Sequence, residues 1–306
     1  MGRKLRVAAA ISVVVLGMGA VYLYHSVTSL ESEHVAGDVH IVFGLGGNVG
    51  ILKTSVGAVV VDTMTFPIQA RGIRELASQL GGGPARAIIN THYHSDHTHG
   101  NPAWPSGIRV VATERTRDYL NLFDAEFWQD EAGGTAPNDT FEQTHEMRIG
   151  GKTIRSYYMG RGHTGGDLVV LFTEDRVLHA GDLFFHRSYP NIDLEAGGSV
   201  RDWSTTLEQV LTLDFDHVIP GHGAVASRED LVGFARFMQE LAETVGQAAA
   251  DGLTLEQTLE SVDLNEDEGY SPMAIPLIMN LDRDFVVKRA WQEATGAVKP
   301  APLPSE

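Results

Sequence analysis

Apolar and polar positions alternate in short runs over the first two thirds of the chain, separated by turns rich in Gly, Pro and Asn. Positions 39–43, 48–54 and 58–62 read as strands. A 3.6-residue period over 68–80 puts Ile73, Leu76 and Leu80 on one stripe of a helix, which Gly81-Gly82-Gly83-Pro84 ends. A buried strand follows at 86–90, then a strand at 108–112 and a helix at 113–123. The second half repeats the theme. Strands at 147–149 and 152–158 flank Gly150-Gly151, strands at 167–172 and 176–180 flank a second turn, and a helix at 200–211 has Ser199 as its N-cap. A last strand spans 216–219. From 227 on the pattern is mostly helical, broken by an acidic stretch at 263–268 and closed by a Pro-rich tail. The segment 124–140, acidic and rich in Gly, Pro and Asn, reads as a mobile loop that also carries Phe127 and Trp128.

The N-terminus departs from this pattern. Arg3, Lys4 and Arg6 precede an uncharged run over 7–24. As a helix it would reach about 27 Å, close to the hydrocarbon thickness of a bilayer. Basic residues on the N-terminal flank favour export of the remainder of the chain. The expected organisation is a transmembrane signal-anchor at 1–25, a polar stalk at 26–38, a folded domain at 39–245 and a C-terminal helical extension at 246–306. The rival is a cleaved signal peptide and a secreted domain. Val21-Tyr22-Leu23-Tyr24 is a poor cleavage context and favours the anchor, with the domain held outside the cytoplasm.

The chain has 306 residues and a formal net charge of -17. With no basic run beyond the N-terminus, it repels phosphate backbones, so nucleic acid is not an expected partner and a small-molecule substrate is. It contains no cysteine, which excludes disulfides, thiolate nucleophiles and thiolate metal ligands. No Gly-x-Ser-x-Gly elbow is present to mark a serine hydrolase.

Chemistry concentrates just past the 86–90 strand. His92, His94 and His97, with Asp96, place three imidazoles and a carboxylate within six positions. Protonated, such groups repel; neutral, they suit a metal ion. Three more donors sit at strand ends among glycines: His163 in Gly162-His163-Thr164-Gly165-Gly166, Asp182 in Ala180-Gly181-Asp182, and His222 in Gly221-His222-Gly223. Glycine permits the close backbone approach a crowded site needs. His99, two positions past the cluster, reads as supporting or exposed, and His145, His179, His186 and His217 as ordinary structural histidines.

His92-x-His94-x-Asp96-His97, then His163, Asp182 and His222, resembles the metallo-β-lactamase-fold superfamily in order and spacing over about 39–237. The resemblance implies an α/β protein, an αβ/βα four-layer sandwich with two mixed sheets inside and helices on both outer faces. It also implies that His92, His94 and His163 hold one metal, Asp96, His97 and His222 a second, and that Asp182 bridges them. The implied cofactors are two zinc ions, with iron or manganese as alternatives. A hydroxide shared by both metals would then attack a carboxylic ester, lactone, thioester or amide carbonyl, with Asp96 as the catalytic residue that orients it. An aspartate at 182 resembles hydroxyacylglutathione hydrolases, lactonases and phosphodiesterases; β-lactamases with cysteine at this position differ. Rival readings are a β-lactamase, a mononuclear-iron persulfide dioxygenase and a non-catalytic metal-binding protein. On the substrate side, Tyr189 is expected to donate to a developing oxyanion, Asn191 to position a carbonyl, and Arg187 to grip a carboxylate.

Overall fold

The computed structural model describes residue 19 and residues 24–275 and 279–304. Fifteen strands are described: β1 Glu31–Ala36, β2 Val39–Phe43, β3 Val49–Thr54, β4 Gly57–Val61, β5 Ala87–Ile89, β6 Arg109–Thr113, β7 Asp139–Phe141, β8 Thr144–Ile149, β9 Lys152–Tyr157, β10 Val169–Phe172, β11 Val177–Phe185, β12 His217–His222, β13 Ala226–Ser227, β14 Met273–Ile275 and β15 Met279–Leu281. The helices are α1 Pro67–Leu80, α2 Ser95–Thr98, α3 Glu114–Phe123, α4 Asp130–Gly133, α5 Val200–Val210, α6 Arg228–Ala250, α7 Leu255–Ser261 and α8 Arg283–Thr295.

β1 to β7 form one sheet in sequence order, antiparallel as far as β4 and parallel from there. The second sheet runs β13-β12-β11-β10-β9-β8, with β11 and β12 its parallel pair. Strand alternation sends neighbouring side chains to opposite faces. Ile41, Val59, Val61 and Ile89 meet Ile154, Val170, Phe172 and Ile219 between the sheets. Val42, Val60, Ile88 and Val110 turn outward under Ala70, Ile73 and Ala77 of α1. On the far side, Val169, Leu171 and Leu178 pack beneath Trp203 of α5, Phe234 of α6 and Val287 of α8. Helices therefore cover both outer faces of two mixed sheets, as the resemblance implied.

Two organisational expectations change. Most of the polar stalk is ordered, because β1 adds an edge strand beside β2. Its outward polar residues explain why no apolar alternation revealed it. The segment 124–140 is also built in: Asn138 exchanges hydrogen bonds with Val110 on β6 (3.0 Å), and β7 closes the sheet. The uncharged run 7–24 lies outside the described residues except for Gly19 and Tyr24. Among the described residues, no helix is long and apolar enough to cross a membrane.

Candidate metal centre

Both sheets contribute donors, most of them from strand ends, although Asp182, expected just past a strand, lies within β11. The turn after β5 and the short α2 carry His92, His94, Asp96 and His97; the loop before β10 carries His163; β11 carries Asp182; β12 ends on His222. These residues fall into two groups whose donor atoms converge: His92, His94, His163 and Asp182, and Asp96, His97 and His222.

In the first group His94 Nδ1 lies 3.1 Å from His92 Nε2 and 2.8 Å from His163 Nε2. In the second, Asp96 Oδ2 lies 3.4 Å from His222 Nε2 and 3.7 Å from His97 Nε2. Asp182 reaches both. Its Oδ2 is 3.5 Å from His163 Nε2 and 3.5 Å from His222 Nε2, and its Oδ1 is 3.1 Å from His97 Nε2. Donors about 2.0–2.1 Å from a tetrahedral ion lie roughly 3.3 Å apart, and the observed spacings bracket that edge. His97 Nε2 and Asp182 Oδ1 are buried without a completed hydrogen bond. Orphaned buried polar atoms are costly, and a cation between them would satisfy both. The donor set, nitrogen and oxygen without sulfur, fits zinc, iron or manganese.

Glycine makes this crowding attainable at two points. A Cβ at Gly221 would collide with Asp182 Oδ1, and one at Gly47, in the β2–β3 loop, would collide with the His97 ring.

The far side of four of the five rings is held as well, which fixes the nitrogen each turns to the centre. His97 Nδ1 meets Asp62 Oδ2 (2.8 Å), and Asp62 also accepts from the Thr91 amide (2.8 Å) and hydroxyl (2.7 Å). His94 Nε2 meets Asp193 Oδ2 (3.0 Å), which also accepts from the Tyr93 hydroxyl. His163 Nδ1 donates to the Asn191 carbonyl (2.8 Å), and His92 Nδ1 lies 3.1 Å from Thr91 Oγ1. None of these partners stood out in the sequence as a support. The one local signal was an aspartate closing the apolar 58–62 run.

Charge is distributed unevenly. Burial pushes His163 down to about 4 and His92 well below the usual range. Burial acts the same way on His222 and His97, but the Asp182 and Asp96 carboxylates outweigh it, lifting His222 to about 9 and raising His97 too. Asp182 resists burial and is held low by His97, His222 and His92. Burial drives Asp167, behind His163, up to about 7, although two hydrogen bonds from Thr164 oppose the rise.

The remaining expected residues divide. His99 pairs with Asp124 (2.7 Å) and stacks on Phe127 at 3.5 Å. His179 is a core residue; its Nδ1 accepts from the Gly181 amide (3.2 Å) and steadies the turn into Asp182. Two of the three substrate-side expectations, Tyr189 and Arg187, need correcting. Tyr189 is buried, and its hydroxyl donates to Asp267 (2.7 Å) instead of offering a free donor. Arg187 lines a separate cleft of about 400 Å³ with Phe184, Asp230 and Tyr270, and no member of the two donor groups borders it. Asn191 acts through its main chain, on His163.

The family model for the metallo-beta-lactamase superfamily matches residues 42–222. A metallo-beta-lactamase type 2 of Bacillus cereus is 26% identical over 181 residues, 58% of this chain and 67% of its own length. A linear primary-alkylsulfatase of a Pseudomonas strain is 22% identical over 270 residues, covering 72% of this chain; the match spans about half (51%) of that relative. The structure of a sec-alkyl sulfatase double mutant shares the fold at a TM-score of 0.64 and 16% identity, over 88% of this chain and 51% of its own. With its family model, fold and metal-type residues in agreement, the chain belongs to the metallo-β-lactamase superfamily of metal-dependent hydrolases.

Proposed function

We propose that this chain is a binuclear metallohydrolase that cleaves a carboxylic ester, lactone, thioester or amide, acting as an exported domain anchored through its N-terminal run. The observation that carries the reading is the reach of Asp182, one buried carboxylate facing both donor groups at 3.1–3.5 Å. His92, His94 and His163 would hold one cation, Asp96, His97 and His222 the other, and Asp182 both; zinc suits the donors.

A pair of such cations, when bound, supplies a water that ionises near neutral pH and draws electrons from the scissile group. The protein's own part is orientation. Asp96, one third exposed (33%), is the most open of the donors, so its carboxylate can accept a hydrogen bond from an attacking water and hold that water in line. Asp62, Asp193 and the Asn191 carbonyl keep the imidazoles aimed. His92, His163 and Asp182 of the first group are buried, and His94 is its open edge.

Metal analysis coupled to a substrate panel tests the reading. Two zinc ions per chain, with turnover abolished by chelation and restored by zinc, are expected; one iron and oxygen uptake would replace it by the dioxygenase reading. Asp96→Ala should lower kcat/KM by about 10²–10³-fold while the melting curve stays cooperative. Retention of more than about a tenth of the activity contradicts the role given to Asp96. A second reading, sulfate-ester cleavage, is favoured by the likeness to the sec-alkyl sulfatase, whose 88% coverage takes in C-terminal helices beyond the lactamase match. An alkyl sulfate in the panel, beside nitrocefin, decides among these substrates.

A further inference from the structure

Two exposed apolar ridges flank the mouth of the metal centre. On the Asp96 side stand Leu45 (45% exposed), Phe66 (39%) and Ile68 (37%). The β2–β3 loop and the start of α1 hold them together: Gln69 Nε2 donates to the Leu45 carbonyl (3.1 Å), and a Cβ at Gly46 would lie 3.3 Å from Asp96 Cβ and 3.5 Å from Thr65 Oγ1. On the His94 side Leu122 and Phe123 are equally open. Phe123 packs on Tyr93 at 5.8 Å, and Tyr93 tilts against His94 at 4.5 Å. Exposed apolar groups gathered around a site mark an interaction surface.

The N-terminal chain arrives at this same face. Leu30 lies over Gly44 and Gly72, where an added Cβ would stand 2.9 and 2.8 Å from its methyl carbons. Six residues earlier Tyr24, whose carbonyl accepts from Thr28 (2.8 Å), is exposed and ends the uncharged run 7–24. The net charge of -17 offers no attraction to an anionic leaflet, so apolar burial is the contact this face can make.

We propose that this face docks on a lipid bilayer, with Leu45, Phe66, Ile68, Leu122 and Phe123 entering the interface, and that the substrate carries an apolar chain drawn from the membrane. The run 7–24 supplies attachment and the ridges supply orientation, setting the metal centre against the lipid surface. The substrate half rests on the hydrolytic reading above; the docking half does not.

The absence of cysteine makes the test clean, because Phe66→Cys or Val232→Cys in the full chain carries one fluorophore. Val232 is as exposed (37%) but lies on α6, in the opposite outer layer. In phosphatidylcholine vesicles, nitroxide-bearing lipid should quench the label at 66 about twofold or more and leave the label at 232 unchanged. Equal quenching at both positions, or none at either, overturns the docking. So does a label at 66 that is dry yet unquenched, since a second copy or the run 7–24 then covers the patch. In the same vesicles the zinc-loaded protein should prefer a long-chain acyl ester over an acetate by about tenfold, and Leu45→Ser with Phe66→Ser should abolish most of that preference. Esters cleaved without regard to chain length overturn the substrate half. Quenching at 66 with no member of the substrate panel cleaved overturns the hydrolytic reading and leaves the docking standing.

Discussion

The two donor groups solve one problem in opposite ways. His92 and His163 are stripped of protons by burial, so the first group is ready for a cation. His97 and His222 are instead raised by Asp182 and Asp96, and hold their protons until a cation displaces them. Like-charged ligands cannot stand together uncompensated. The buried imidazoles of one group answer by staying neutral, those of the other by pairing with carboxylates. The difference shows that the protein meets the cost of the first site in desolvation and that of the second in proton release on loading.

Removing the shared carboxylate should break the comparison most completely. Asp182→Asn is expected to cut kcat/KM by roughly 10³-fold and bound zinc from two per chain towards one; two tightly held ions would show that Asp182 is not the link. The supports separate the groups more finely. Asp62→Asn, behind His97, should weaken the second ion by about 10–100-fold and spare the first, while Asp193→Asn, behind His94, should do the reverse. Zinc competition titrations read both, and identical losses would mean that the groups are not independent.

Asp167 extends the contrast into stability. Its folded value, about 7, lies above the roughly 3.9 of an unfolded chain. The folded state therefore binds the extra proton, and stability is lost as pH rises from about 4 to 7, with the whole penalty present above 7. Asp167→Asn removes that penalty, so the variant should gain on the wild type in denaturant midpoint at pH 8 and not at pH 4. A pH-independent difference would refute the assignment. The smallest effect belongs to Tyr189→Phe, which severs only the bond to Asp267. It should cost about 1 kcal/mol of stability and leave kcat/KM within about twofold; a tenfold loss would return Tyr189 to the reacting atoms.

The seven ligand-type residues were legible because each lies at a strand end, beside glycines or inside one dense histidine cluster, and those signals are local. The supports were not, since Asp62 meets His97 across 35 positions and Asp193 meets His94 across 99. Only the sheet pairing of β4 with β5 and the approach of the two sheets bring them together. The same blindness misplaced Tyr189 and Arg187. Their loop is steered by a bridge between Ser188 and Ser271 and by the Asp267 contact, far along the chain. The strand pattern read well wherever one face was buried; β1, polar along an edge, carried no such mark.

Because His92, His94, Asp96 and His97 belong to the first sheet's half, and His163, Asp182 and His222 to the second's, each cation would rivet two slabs that otherwise adhere mainly through side-chain packing. Starving a cell of metal would then lower the abundance of this protein as well as silence it, since the unriveted form opens more often to proteolysis.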